Sequence, residues 1–239
     1  MTPTTGGKRP DERAGQGTAM NARLDRLLDP ARSALVTCEC QQGVLGADAV
    51  FPALAEAAAG VGPDGLVAQV RRLGAAARAT GVPVLHCTAL RRADGLAANR
   101  NALLFAAAAK AGPGLTPGSA AAGLHPGIGA DPERDLVLPR LHGLGPFQET
   151  GLAPALRNLG ARTVVCVGVS LNVALLELVL GLVGAGFQAV LPADAVAGTP
   201  PEYAEAVLRH TLALVATVTD TAAVLDRWGG APPRPAEES

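Results

Sequence analysis

Aromatic residues are scarce in this chain of 239 residues: one Trp, one Tyr and four Phe. Nucleic-acid binding by base stacking therefore has few platforms. An excess of basic charge is also missing. Lys plus Arg is 20, Asp plus Glu is 21, and the formal net charge is −1. This argues against nucleic acid and against an anionic membrane surface as partners. No disulfide framework is visible, because three of the four cysteines (Cys38, Cys40, Cys87 and Cys166) lie in strand-like apolar runs. Cysteine in such a run behaves as a small hydrophobe. His86, His125, His142 and His210 are far apart and lack neighbouring carboxylates at ligand spacing, so we expect no metal and no cofactor. No GxGxxG, GxxxxGK[ST] or GxSxG motif occurs. The N-terminus has no apolar stretch of signal-peptide type, and the expected location is the cytoplasm.

Apolar residues are plentiful at 49%, enough for a substantial core. The most apolar part is GVSLNVALLELVLGLVGAGFQAVLPADAVAG, residues 168–198. Leu171 to Val190 has the ~20 residues of a membrane helix. However, Asn172, Glu177, Gln188 and three glycines interrupt it, so it reads as helix, turn and strand. Residues 1–20 and 230–239 are rich in Pro, Gly and charge, and both are expected to be disordered tails around one domain at 21–229.

Within that domain, strands and helices alternate. SALVTCEC (33–40), VPVLHCTA (82–89), DLVLPR (135–140), RTVVCVGV (162–169), FQAVLPADA (187–195) and ATVTDT (216–221) read as strands. Helices are expected at 66–81, 101–112, 152–160, 172–186 and 201–214, and TAAVLDRW (221–228) closes the fold. Near-continuous apolar strands separated by helices imply a three-layer α/β/α sandwich on a mainly parallel sheet. In such sheets the ligand sits beyond the carboxyl ends of the strands.

Those ends carry the polar candidates. Glu39 is costly to bury alone. It reads as a general acid or base, or as a carboxylate capping a loop. Arg140 is always charged. It could pair with Glu39, hold a substrate carboxylate, or sit solvated at a strand end. His142 follows, as a ligand contact or a packing residue. The loop ALRRADGLAANRN (89–101) offers Arg91, Arg92, Asn99 and Arg100 to an anion, or is merely a solvated surface. Asp194 reads as a backbone-fixing side chain. Gly168-Val169-Ser170 joins a strand to a helix start, where free N–H groups favour negative charge. A cysteine in that first turn would be an activated nucleophile, but the residue is Ala174, and Cys166 lies inside the strand.

Three segments, in order, resemble the isochorismatase-like hydrolase superfamily, which includes nicotinamidases and other cysteine hydrolases. SALVTCECQQGVLG resembles its first-strand motif of an apolar run, Asp, Met and Gln. RLHGLGPFQETGLAPALRNLGARTVVCVGVSLNVA resembles its Lys region, its Phe–x–x–Thr–x–Leu and its Gly–Val–x–Thr–Asp–x–Cys. GFQAVLPADAVAG resembles its Asp–Ala strand. The resemblance covers about residues 30–228. It implies a cis peptide between Val169 and Ser170, and a homo-oligomer (dimer or tetramer) with the apolar 171–190 region suited to subunit packing.

The catalytic positions depart from the family. Glu39 stands for its Asp, and Arg140 for its Lys, or Leu141 if the register slips by one. Asn172 stands for the Asp of its Thr–Asp pair, and Ala174 for its Cys. Its metal-binding Asp–x–His has no counterpart after Asp48. The acyl-enzyme route is therefore closed. Members without the cysteine hydrolyse vinyl ethers, with the carboxylic acid as proton donor. The resemblance thus implies a small, carboxylated substrate, Glu39 as acid or base and Arg140 as anchor. Gln41, Arg91, Arg92, His142, Val169, Ser170, Asn172 and Ala174 are the expected substrate contacts. A catalytically inactive relative that keeps the pocket for binding or assembly is the alternative. Burial favours the acid form of Glu39 and a close arginine favours the carboxylate, so its role as acid or base stays open.

Overall fold

The computed structural model describes residues 10–62, 64–110 and 114–229, and side chains from residue 19 onward. Six parallel strands form one sheet in the order β3-β2-β1-β4-β5-β6. They are β1 (Ser33–Cys38), β2 (Val84–Ala89), β3 (Leu136–Arg140), β4 (Thr163–Gly168), β5 (Gln188–Pro192) and β6 (Thr217–Thr219). The helices are α1 (Pro10–Leu27), α2 (Gln42–Leu45), α3 (Pro52–Ala59), α4 (Gly65–Ala79), α5 (Leu103–Lys110), α6 (Leu152–Asn158), α7 (Ala174–Gly184), α8 (Pro201–Val207), α9 (Ala213–Val215) and α10 (Thr221–Trp228).

Two apolar layers flank the sheet, as a strand buried on both faces requires. Side chains of β1 alternate between them. Leu35 packs with Leu66, Leu73 and Trp228 on the α4 and α10 side. Ala34 and Val36 pack with Leu152, Leu175 and Leu178 on the α6 and α7 side. The six residues of β1 and of β4 are all buried, which is why both read as unbroken apolar runs.

Several elements differ from the sequence reading. Residues 10–20 are helical, not a disordered tail. Pro10 occupies the first turn, where a proline costs no hydrogen bond, and the following Asp, Glu, Arg, Ala and Gln tolerate helix. Further along α1, Leu24 is buried in the core beside Trp228. Residues 1–9 and 230–239 lie outside the described residues. Helices α2 and α3 lie in a segment where the sequence pattern predicts no element. The helix expected over 201–214 contains a π turn at Leu208–Leu212. The β5 segment leaves the sheet after Pro192, because residues 193–195 form a 3-10 turn. Asp194 there accepts hydrogen bonds from Thr221 N at 2.7 Å and Thr221 Oγ1 at 2.9 Å, tying the end of β5 to the start of α10. Val169–Ser170 is cis.

Candidate active site

β1 leads by crossover to β2 and then β3 on one side of the sheet, and the chain returns to β4 on the other. The loops after β1 and β4 therefore diverge and leave a crevice at their carboxyl ends. A cavity of about 470 Å³ lies there, lined by Glu39, Arg91, Asn99, Arg140, His142, Ser170, Asn172, Thr199 and many apolar side chains. Its size is ordinary for a small-molecule site.

Glu39 follows β1 directly and takes a φ of 52°, a left-handed conformation uncommon outside glycine. Its N–H still donates to Cys87 O at 2.8 Å, so the backbone stays registered against β2 while the side chain swings into the cavity. There the carboxylate oxygen Oε1 accepts a hydrogen bond from Arg140 Nη2 at the end of β3. The arginine is 8% exposed. Burial opposes its charge, but Glu39 together with the neighbouring Cys38 and Cys87 holds its pKa above the ordinary value, so it is a permanent cation. Arg140 Nε and Nη1 are buried with no partner among the described residues. Buried donors are normally paired, and here two guanidinium nitrogens of a cavity-lining arginine have no protein partner. The neighbour Leu141 also lines it, as an apolar wall.

On the opposite wall, Ala174 begins α7 with only a methyl group toward the cavity. The turn before it is less open than expected. Leu171 N donates to Ala197 O at 2.7 Å, and Val173 N and Leu175 N both donate to Ser170 O, at 3.1 and 2.9 Å. Ala174 N makes only a 3.5 Å approach to Ser170 Oγ. The free N–H groups expected at this helix start are thus mostly consumed by the turn itself. Asn172 Nδ2 donates to Thr199 O at 3.0 Å, joining this turn to the segment after β5.

Three of the expected contacts do not line the cavity. Gln41 is fully buried, and its amide is spent: it donates to Ala89 O and Ala122 O at 2.9 Å each and accepts from Ala89 N at 2.8 Å. It braces the end of β2. Arg92 points to solvent and pairs with Asp94 at 2.6 Å. Val169 is buried in the core layer. Arg91, His142, Ser170, Asn172 and Ala174 do line it. The sequence reading missed the apolar walls from α3 and α5, among them Phe51, Leu54, Leu104 and Phe105. The signal was present in LLFAAAA (103–109), an apolar run with no polar face. Asn99 also has a positioning role, since its Oδ1 accepts from Gly143 N at 2.8 Å and pins the loop after β3.

A second polar chain lies within the sheet. Thr37 Oγ1 bonds His86 Nδ1 at 2.8 Å, His86 Nε2 bonds Asp135 Oδ2 at 3.1 Å, and Arg78 Nη1 bonds the same oxygen at 2.8 Å. The order resembles a nucleophile relay, but Thr37 is buried mid-strand and does not line the cavity. Among the described residues no group of three His, Cys, Asp or Glu could hold a metal ion, and no helix is long and apolar enough to cross a membrane.

The model of the isochorismatase domain matches residues 33–223. The chain belongs to the isochorismatase family. Solved structures of the same fold include an isochorismatase family protein from Desulfovibrio vulgaris subsp. vulgaris, 24% identical with a TM-score of 0.70 over 81% of this chain and 96% of that one. A cysteine hydrolase from Pseudomonas syringae pv. phaseolicola is 21% identical with a TM-score of 0.69, over 84% and 94%. The pyrazinamidase of Pyrococcus horikoshii, solved in complex with zinc, is 20% identical with a TM-score of 0.61, over 79% and 99%. No curated protein matches the chain. At these identities the structural likeness establishes the hydrolase fold, and this isochorismatase-family chain carries Ala174 at the start of α7.

Proposed function

We propose that this isochorismatase-family protein is an enzyme that acts on a small, carboxylated metabolite without a nucleophilic cysteine. Glu39 exchanges the proton and Arg140 anchors the substrate carboxylate. The reaction is vinyl-ether hydrolysis or a related elimination. The observation that carries this reading is the meeting of Glu39 and Arg140 in the cavity, with two guanidinium nitrogens left without a protein partner. A guanidinium fork can take a second carboxylate while keeping the first. In the hydrolysis, a carboxylic acid protonates the vinyl carbon, water adds to the resulting oxocarbenium carbon, and the hemiketal collapses to ketone and alcohol. The water returns the proton. No step needs a covalent enzyme intermediate, so a methyl group at Ala174 is compatible with it. The protein is read as a cytoplasmic homo-oligomer, dimer or tetramer, of secondary metabolism.

Ala174 also favours a second reading, a pocket kept for binding alone. The experiment separates the two. Carboxylated metabolites, enol-pyruvyl ethers included, are screened by thermal shift, and every hit is assayed for turnover. Glu39→Gln keeps the shape and loses the proton chemistry, so turnover should fall about 10²–10⁴-fold while the hit still binds. Binding without turnover in the parent supports the second reading. Equal turnover by parent and variant defeats the first.

A further inference from the structure

The lining of the cavity is mostly apolar. Phe51, Leu54, Leu90, Leu104, Phe105 and Leu115 line the same cavity as Arg140. Helix α5 is the unusual wall. Its sequence LLFAAAAK is apolar, yet none of its residues is buried. Leu104 and Phe105 line the cavity, and Leu104 is 40% exposed. A helix that packs on its own core hides its apolar stripe. This one turns part of that stripe to a hollow of about 470 Å³. A ligand made mostly of carbon would cover it.

We propose that the ligand of this site is an amphipathic carboxylate: one anionic group held by Arg140, and an apolar body of ring or medium-chain size gripped by α5. The proposal rests on the reading of Arg140 as an anion anchor and adds the chemistry of the rest of the molecule. Arg140 lines the cavity, and its Nε and Nη1 have no partner among the described residues. Glu39 already takes one edge of the guanidinium, which leaves a place for one further anionic group at this end. Small hydroxylated acids would leave the apolar walls wet. Apolar burial therefore sets affinity, and the guanidinium sets orientation.

Calorimetric binding of straight-chain monocarboxylates from acetate to decanoate, and of cyclohexanecarboxylate, to the full-length protein tests this. Affinity should rise about three- to fourfold per added methylene until the cavity is full. The primary amide of each acid should bind about tenfold or more weakly, because a charge-assisted hydrogen bond is lost. Leu104→Ser should flatten the chain-length dependence. Leu103→Ser, at a position 90% exposed on the same helix and not lining the cavity, should leave it unchanged. Both are exposed positions, so folding is not at issue. Glu39→Gln should keep the chain-length dependence. An affinity independent of chain length, preference for hydroxylated acids, no binding by any member, or equal behaviour of the two leucine variants would overturn the proposal. Loss of the chain-length trend with Glu39-dependent turnover intact would sink this inference alone. A clear trend without turnover would sink only the catalytic reading.

Discussion

Glu39 sits at a left-handed φ of 52° between Cys38 and Cys40, two residues buried in opposite core layers. A non-glycine residue held there costs roughly 1–3 kcal/mol, and such residues concentrate at functional sites. Its carboxylate keeps 16% side-chain exposure, and Arg140 keeps 6%. The pair is therefore largely desolvated, and its members should depend on each other. Arg140→Met is expected to cost about 3 kcal/mol in urea unfolding, because it strands Glu39 beside apolar walls. The double variant Glu39→Met/Arg140→Met should recover most of that loss, since two apolar side chains leave no unpaired charge. Additive costs for the two single variants would show that the ion pair is not a coupled unit.

At the scale of elements, the buried relay from Thr37 in β1 through His86 in β2 to Asp135 and Arg78 of α4 joins strands, helix and the loop before β3. Asp135 also accepts from Asp131 N at 2.8 Å, and Arg78 Nη2 donates to Gly129 O at 2.9 Å. Burial pushes the His86 pKa below its ordinary 6.5, against the opposing pull of Asp135. His86 is thus held neutral: Nε2–H donates to Asp135, and Nδ1 accepts from Thr37. The unfolded chain binds a proton more readily than the folded one. Stability from this group is complete above pH 6.5 and declines as pH falls from there toward the lowered folded value. The wild-type urea midpoint should drop between pH 7.5 and 5.5 more than that of His86→Gln. Identical drops would show that His86 does not contribute to the acid sensitivity.

For the whole molecule, the order β3-β2-β1-β4-β5-β6 places all four thiols inside the layers, in β1, β2, β4 and just after β1. Burial raises each thiol pKa, to about 12 for Cys40 and Cys87, with Cys38 and Cys166 also well up. Neither thiolate formation nor reagent access is available in the folded state. Ellman's reagent should leave the native protein unmodified and titrate all four cysteines in guanidinium. Turnover on any substrate found should survive the native treatment. Rapid native labelling with loss of turnover would restore a thiol to the chemistry.

The strand pattern was legible in the chain because a parallel sheet covered on both faces needs unbroken apolar runs, and β1 and β4 are such runs. The absence of a nucleophile was legible too, because Ala174 is a statement of residue type alone. The helix at 10–20 was not, since a polar run carries no periodic apolar stripe to distinguish helix from coil. Tertiary structure decided which strand-end groups share one cavity. It spent Gln41 on the backbone of β2 and turned Arg92 to solvent, although both had the right chemistry. It also set α5 over the hollow. Residue type determines what a side chain can do, whereas the partners that consume or leave free its donors come from segments as distant as Glu39 and Arg140, which only the sheet order brings into contact.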